Sequence, residues 1–204
     1  FFVPEFAVCK TCEPVFGRFS TPSMNLPFPN VPLVMTRATL ENLPDAPLPP
    51  GFALRWYAPG DEAHWLRIHL GADQLNVITP ELFHEQFGND PALLAQRQCY
   101  ALSPAGQVVG TASAWFSNAF EGGRWGRVHW LAVLPEFQGR GLGRALLGAV
   151  CRRLRELGHD RAYLTTSAAR LPAIALYLKF GFEPRIRDAT EAGVWREILT
   201  RLQG

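Results

Sequence analysis

Residues Arg127 to Leu157 read RVHWLAVLPEFQGRGLGRALLGAVCRRLREL. The run Val128 to Leu134 is apolar and suits a strand, and the loop after it holds Gly139, Gly141 and Gly143. Leu146, Leu147, Val150, Leu154 and Leu157 then recur at helical spacing. The order is strand, glycine turn, helix. The first turn of a helix leaves backbone N–H groups without partners, and the helix dipole adds partial positive charge there, so such a junction favours an anion. Glycine lets the backbone approach a ligand and adopt positive φ. Arg140 and Arg144 add full charges beside those amides. A tight strand-to-helix turn with a glycine entry is the plainer reading of the same residues.

The spacing matches neither common nucleotide pattern. A P-loop needs GxxxxGK followed by Ser or Thr, and a dinucleotide fingerprint needs GxGxxG with an acidic residue about 20 positions on. The stretch LAVLPEFQGRGLGRALL instead resembles the acetyl-CoA signature of the GNAT superfamily of N-acetyltransferases, an apolar strand ending in V-x-P, an aromatic, then Q/R-x-x-G-x-G/A. Ala173 to Phe182, AIALYLKFGF, is similar to that superfamily's second signature, a helical Tyr shortly before a Gly-Phe that opens a strand. The two occur in the right order, and the likeness spans roughly Phe52 to Leu202.

The resemblance implies an α/β fold, a mixed, mostly antiparallel sheet flanked by helices, using acetyl-CoA as co-substrate. The implied activity is direct attack of a primary amine on the thioester. Leu131, Ala132 and Val133 would splay from the neighbouring strand and pair with the pantetheine arm, one N–H polarising the carbonyl. The amides of Gln138, Gly139, Arg140, Gly141, Leu142, Gly143 and Arg144 would hold the pyrophosphate. Tyr177 takes the general-acid position, since a phenol of pKa near 10 keeps its proton at neutral pH. Leu176 and Phe180 beside it also allow a simple core role.

The base is harder to read. Thr165 stands where some members carry a Glu, and Thr cannot take a proton unaided. His129 matches a His of arylalkylamine-type members, whose strand reads H-x-LAV, and imidazole accepts protons near neutrality. Strand alternation would put His129, Leu131 and Val133 on one face; a His bonded within the sheet is the alternative. Arg170 replaces an Asn that contacts the cofactor in many members, and a phosphate contact is the substitute role. Two other readings of the chain are a non-catalytic acyl-CoA-binding or regulatory module and a peptide N-terminal acetyltransferase.

Composition narrows the partners. The net charge of +2 over 204 residues gives no case for nucleic acid. No apolar run is long enough for a membrane span, and FFVPEFAVCK lacks the features of a signal peptide, so a soluble, cytoplasmic monomer or homodimer is expected, acting on a small-molecule or peptide amine. Cys9 and Cys12 form a lone CxxC, which is no basis for a metal site. Cys99 and Cys151 read as buried thiols.

Residues 1–50 hold ten of the 17 prolines and are expected to form an extended or partly disordered arm before a domain spanning 51–204. Met35 opens MTRATLENLP, and residues before it are expected to be dispensable. Strands are expected at Phe52–Ala58, Gln98–Ser103, Gln107–Ser117, Arg161–Thr166, Phe182–Ile186 and Val194–Leu202. Helices are expected after Pro59, over Pro80–Phe87 capped by Thr79, and over Leu171–Lys179. His64, His69 and His84 fall in the acceptor region and read as surface or edge residues.

Overall fold

The structure is a computed structural model and describes residues 29–203. Its elements run β1 (Pro32–Arg37), β2 (Ala53–Trp56), α1 (Asp61–Ala72), α2 (Pro80–Phe87), α3 (Pro91–Arg97), β3 (Gln98–Leu102) and β4 (Val108–Ser117). β5 (Trp125–Val133), α4 (Leu142–Glu156), β6 (Ala162–Ser167), α5 (Leu171–Lys179), β7 (Glu183–Pro184) and α6 (Ala189–Gln203) follow. Among the described residues, seven strands form one sheet in the order β2-β3-β4-β5-β6-β1-β7. β5 and β6 are parallel, joined through α4, and every other neighbouring pair is antiparallel. The mixed α/β sheet implied by the two signatures is therefore present.

α4 packs across β3, β4 and β5 on one face, while α1 covers β4 and β5 on the other. Leu142, Leu146, Leu147, Val150 and Leu154 supply the buried side of α4. Gly110 of β4 lies where a Cβ would come within 3.1 Å of both the Ala132 carbonyl oxygen and Leu146 Cδ1, so the glycine lets strand, strand and helix close up. Local capping follows the expected chemistry: Thr79 Oγ1 accepts from the Leu82 N–H at 3.3 Å at the start of α2, with Pro80 next. α3 is short and escapes periodicity, yet Asp90 accepts from the Ala92 and Leu93 amides and Pro91 follows it.

Two expectations fail. The boundary at residue 50 is wrong for the described part of the arm, because β1 lies inside the sheet between β6 and β7. Leu33 and Met35 alternate inward and are buried to 1% and 0% exposure, a period-2 pattern that the surrounding prolines obscure. Met35 is thus mid-strand, paired with Leu164 on one side and Pro184 on the other, and a chain beginning there loses half of β1. Arg37 locks the end of the strand by donating to the Phe180 and Glu41 carbonyls. The segment after β1 lies along α4, with Ala46 so close that a Cβ on Gly148 would meet it at 2.6 Å. Residues 1–28, including Cys9 and Cys12, lie outside the described residues.

The second failure is the last strand. Residues 194–202 belong to helix α6, whose buried positions Glu191, Trp195 and Ile198 fall at i, i+4 and i+7. Asp188 accepts from the Glu191 N–H at 2.8 Å, and Glu191 turns back onto the Arg187 N–H at 2.7 Å. This D-x-x-E start is a helix signal that outweighs the partial alternation. The sheet is completed beyond β6 by β1 instead.

Candidate active site

The pairing of β5 with β6 stops almost where it begins. Gly126 faces Ala162 and Arg127 faces Tyr163, and no pair follows, although β5 runs on to Val133 and β6 to Ser167. A cleft of about 1770 Å³ opens between the strands, lined by Leu131, Ala132 and Val133 on one side and Thr165, Thr166 and Ser167 on the other. The expected splay is present. Among the described residues, no strand pairs with the backbone groups on the open flank of β5, so an extended amide-bearing chain fits between the two strands.

One end of the cleft is built from backbone. Gly139 and Gly141 take φ of 73° and 85°, and a Cβ at Gly139 would meet nothing within 4 Å, so the need there is conformational rather than steric. The first backbone bond of α4 runs from the Ala145 N–H to the Gly141 carbonyl at 3.0 Å, leaving the amides of Leu142, Gly143 and Arg144 as the unpaired first turn. No side chain among the described residues caps the helix. Gln138 is held by its amide donating to the Val133 carbonyl at 2.9 Å, which fixes the turn from strand to loop. Arg144 donates to the Asp45 carbonyl at 2.7 Å and Arg140 to the Glu136 carbonyl at 3.2 Å, so both are tethered at the surface beside the amides. Gly139, Gly141, Gly143 and Arg144 line the cleft. Free amides, positive-φ glycines and two cations fit a pyrophosphate, and the open β5 flank fits an amide-bearing arm; an acyl-CoA is compatible with these residues.

The opposite wall is built from side chains. β5 is bulged: Ser113 pairs with His129 and Thr111 with Ala132, and Trp130 takes φ of 48°. The simple alternation fails here. His129 shares a face with Ala132 and with Thr111 and Ser113, whereas Val133 pairs with Gly110 on the α4 side. His129 is 6% exposed, and burial pushes its pKa well below the usual value, with Arg127 and His69 acting in the same direction. It is therefore a neutral imidazole. Gln86 Oε1 accepts from Trp130 Nε1 at 3.1 Å and lies 3.1 Å from His129 Nε2. Indole nitrogen only donates, so the Gln86 oxygen is an acceptor for both; this network assigns the proton of His129 to Nε2 and leaves the lone pair on Nδ1.

His69 corrects another expectation: it is 1% exposed, not a surface residue, and lines the cleft against Trp65 and Trp130. Burial lowers its pKa to about 3, against the pull of Asp73. The Trp130 backbone lies against the imidazole and, like Asp73, opposes the fall. Arg170 donates to both Asp73 oxygens at 2.9 Å, so it ties the loop after α1 to the start of α5. Asp73 also accepts from the Leu75 and Asn76 amides. Burial works against the Asp73 charge, but Arg170 and these amides hold its carboxyl below the usual range. Gln86, His69 and Asp73 escape a sequence reading because each gains its place only when α1 and α2 dock on β5. Thr165 accepts from Arg127 at 3.4 Å and offers no base.

Tyr177 lies on the buried side of α5 at 7% exposure and lines the same cleft, its ring 6.2 Å from Phe182. Burial raises its pKa, with Arg170 opposing, so the hydroxyl keeps its proton at neutral pH. The cleft thus brings together Tyr177, His129, residues 131–133 and the glycine loop. Cys99 and Cys151 are buried, and burial pushes both thiols up to about 12, which leaves them inert. No group of residues suited to a metal ion occurs among the described residues, and no helix among them is long and apolar enough to cross a membrane.

Comparison with known proteins agrees with this geometry. The chain is 34% identical over 151 residues to a mycothiol acetyltransferase of Arthrobacter sp. (strain FB24), covering 69% of this chain and 45% of that protein. It is also 34% identical over 167 residues to a mycothiol acetyltransferase of Saccharomonospora viridis, covering 74% and 52%. The chain spans about half the length of these curated relatives. Among solved structures, a GCN5-related N-acetyltransferase from Sphaerobacter thermophilus superposes with a TM-score of 0.61 at 24% identity, over 77% of this chain and 50% of that one. The family model described as "Acetyltransferase (GNAT) family" matches residues 63–182, from the start of α1 through the glycine loop to Phe182, and the chain belongs to that family.

Proposed function

We propose that this chain is an N-acetyltransferase that moves an acetyl group from acetyl-CoA to the primary amine of a small molecule. The observation that carries the reading is the splay of β5 from β6, with a glycine loop at one end of the cleft and His129 and Tyr177 beside it. Acetyl-CoA supplies an electrophilic thioester carbonyl when bound. The amides of residues 139–144 bind its anionic end, and the strand Leu131–Val133 offers N–H groups to the arm and carbonyl. His129 Nδ1 takes the proton lost by the attacking amine, while Gln86 holds the imidazole in the required tautomer. Tyr177 holds a proton at its phenolic oxygen for the departing sulfur. Arg170 stiffens the cleft through Asp73 rather than binding phosphate. The names of the curated relatives favour a thiol-bearing small-molecule amine of the mycothiol type, and a cytoplasmic location belongs to the same reading.

Replacing Tyr177 by Phe tests it. Turnover should fall by about 100-fold with acetyl-CoA affinity retained, because only the proton donor is lost. Unchanged turnover would remove Tyr177 from the mechanism, and failure of the wild-type chain to bind acetyl-CoA would leave a GNAT fold without the activity.

A further inference from the structure

The proposed chemistry gives His69 no part, although its side chain is buried in the cleft wall. The ring sits between two indoles, its centroid 4.3 Å from that of Trp65 and 5.0 Å from that of Trp130. No side chain among the described residues hydrogen-bonds either ring nitrogen. The polar group that meets the ring is the Trp130 backbone, which favours the charged imidazole. A backbone group with that effect is an acceptor, and the backbone's acceptor is the carbonyl. A neutral imidazole donates from one of its nitrogens, so His69 faces the Trp130 carbonyl as a donor. A ring needed only to fill the space between Trp65 and Trp130 would serve as well as Phe, whereas burying an imidazole has a cost that a hydrogen bond offsets.

Trp130 is where β5 departs from regular geometry. Ser113 pairs with His129 and Thr111 with Ala132, so Trp130 and Leu131 together stand opposite Ala112. A bulky residue at φ of 48° is strained, and it persists only where its surroundings hold it. Two helices do so. From α2, Gln86 accepts from the indole at 3.1 Å; from α1, Trp65 packs edge-on against the indole at 5.2 Å and His69 meets the backbone. The indole contacts fix the side chain, but an indole can keep its place while the peptide beyond it turns. The trans peptide carries its C=O and N–H on opposite edges, so a donor on the Trp130 carbonyl also sets the direction of the Leu131 N–H. We infer that His69 is a positioning residue, holding the Trp130–Leu131 peptide so that the Leu131 N–H stays aimed at the thioester carbonyl of the bound acyl donor. This rests on the acetyltransferase reading and adds to it the group that preorganises its amide donor.

The experiment is infrared difference spectroscopy of the full chain with acetyl-CoA carrying carbon-13 at the thioester carbonyl. A hydrogen bond weakens C=O, so the bound stretch in the wild type should lie below that of free acetyl-CoA. His69→Phe, of similar shape but without a donor, should return the stretch close to the free value. Its affinity for coenzyme A, which has no acetyl carbonyl, should stay within about twofold of wild type, because the pyrophosphate contacts are made elsewhere. His69→Gln, whose amide can donate, should restore most of the shift. A ring that serves packing alone would lower the thermal midpoint in both variants and leave the stretch where it was. A stretch equally low in His69→Phe and wild type, or a wild-type stretch at the free value, would therefore overturn the inference while leaving the enzyme reading intact. Failure of the wild type to bind acetyl-CoA would overturn the enzyme reading and this inference with it. If His69→Phe does not fold, hydrogen exchange in the wild type labelled with nitrogen-15 histidine decides: a His69 ring proton protected from exchange is expected of a donor to a buried carbonyl, and a freely exchanging one would overturn the assignment.

Discussion

The two walls of the cleft are made of different material. The glycine-loop wall is backbone: its donors are the amides of α4's first turn, and its shape is set by the positive φ of Gly139 and Gly141. The wall formed by α1, α2 and β5 is side chain: Gln86, His129, Trp130, His69 and Asp73 come from three elements and act only once those elements have packed. A backbone site is local and generic, able to hold the same anion whatever the acceptor. A side-chain site is assembled and particular.

If that contrast is right, changes in the first wall should alter cofactor affinity and changes in the second should alter turnover. The largest effect is expected from Gly141→Val. A β-branched residue at φ of 85° is strained by about 1–2 kcal/mol, and relieving the strain turns the loop amides away from the anion. Acetyl-CoA affinity measured by calorimetry should fall by tenfold or more, with the circular dichroism spectrum retained; an unaltered affinity would break the distinction at its stronger side. Gln86→Leu should act on the other wall, lowering kcat about tenfold by freeing the His129 tautomer while acetyl-CoA affinity stays within about twofold. A loss confined to affinity would put Gln86 on the wrong side of the comparison.

A third effect is in stability. His69 and His129 are buried neutral in the second wall, and His159, on the far side of Phe116, has its pKa lowered to about 4 by burial and the charges of Arg124 and Arg97. Their folded pKa values lie below the unfolded 6.5, so the unfolded chain binds more protons as pH falls. Stability should therefore be retained above about pH 6.5 and drop below it, each histidine contributing up to about 1.4 kcal/mol per pH unit until its folded pKa is reached. Chemical denaturation between pH 7 and 5 reads this directly. Replacing His159 by Phe should flatten the slope by about one histidine's share without affecting the cleft, and an unchanged slope would mean His159 does not stay neutral in the fold.

Legibility in the sequence follows the same division. The glycine loop, its helix and the position of Tyr177 can be read because strand, turn and helix are contiguous and each residue type has a local physical reason. Thr79-Pro80 and the 171–179 helix are legible on the same grounds. His129 is legible as a residue but not in its direction, since the bulge at Trp130 changes which face it shares, and no periodicity announces a bulge. Gln86 and Asp73 carry no local signal at all; their meaning comes from partners in other elements. Strand β1 was hidden by prolines and α6 by a partial alternation, although Leu33 and Met35 on one side and the Asp188–Glu191 pair on the other held the correct pattern.

The position of β1 also bears on how the molecule is made. It is synthesised before every other strand of the sheet, yet its partners are β6 and β7, which are among the last. A nascent chain can form the β2–β5 meander early, but β1 stays unpaired, with Leu33 and Met35 unburied, until β6 and β7 have been made. Such long-range closure is slow and exposes the intermediate to misassociation. Residues 32–37 therefore act as a latch that closes last, and the cleft beside β6 gains its full backing only at that final step.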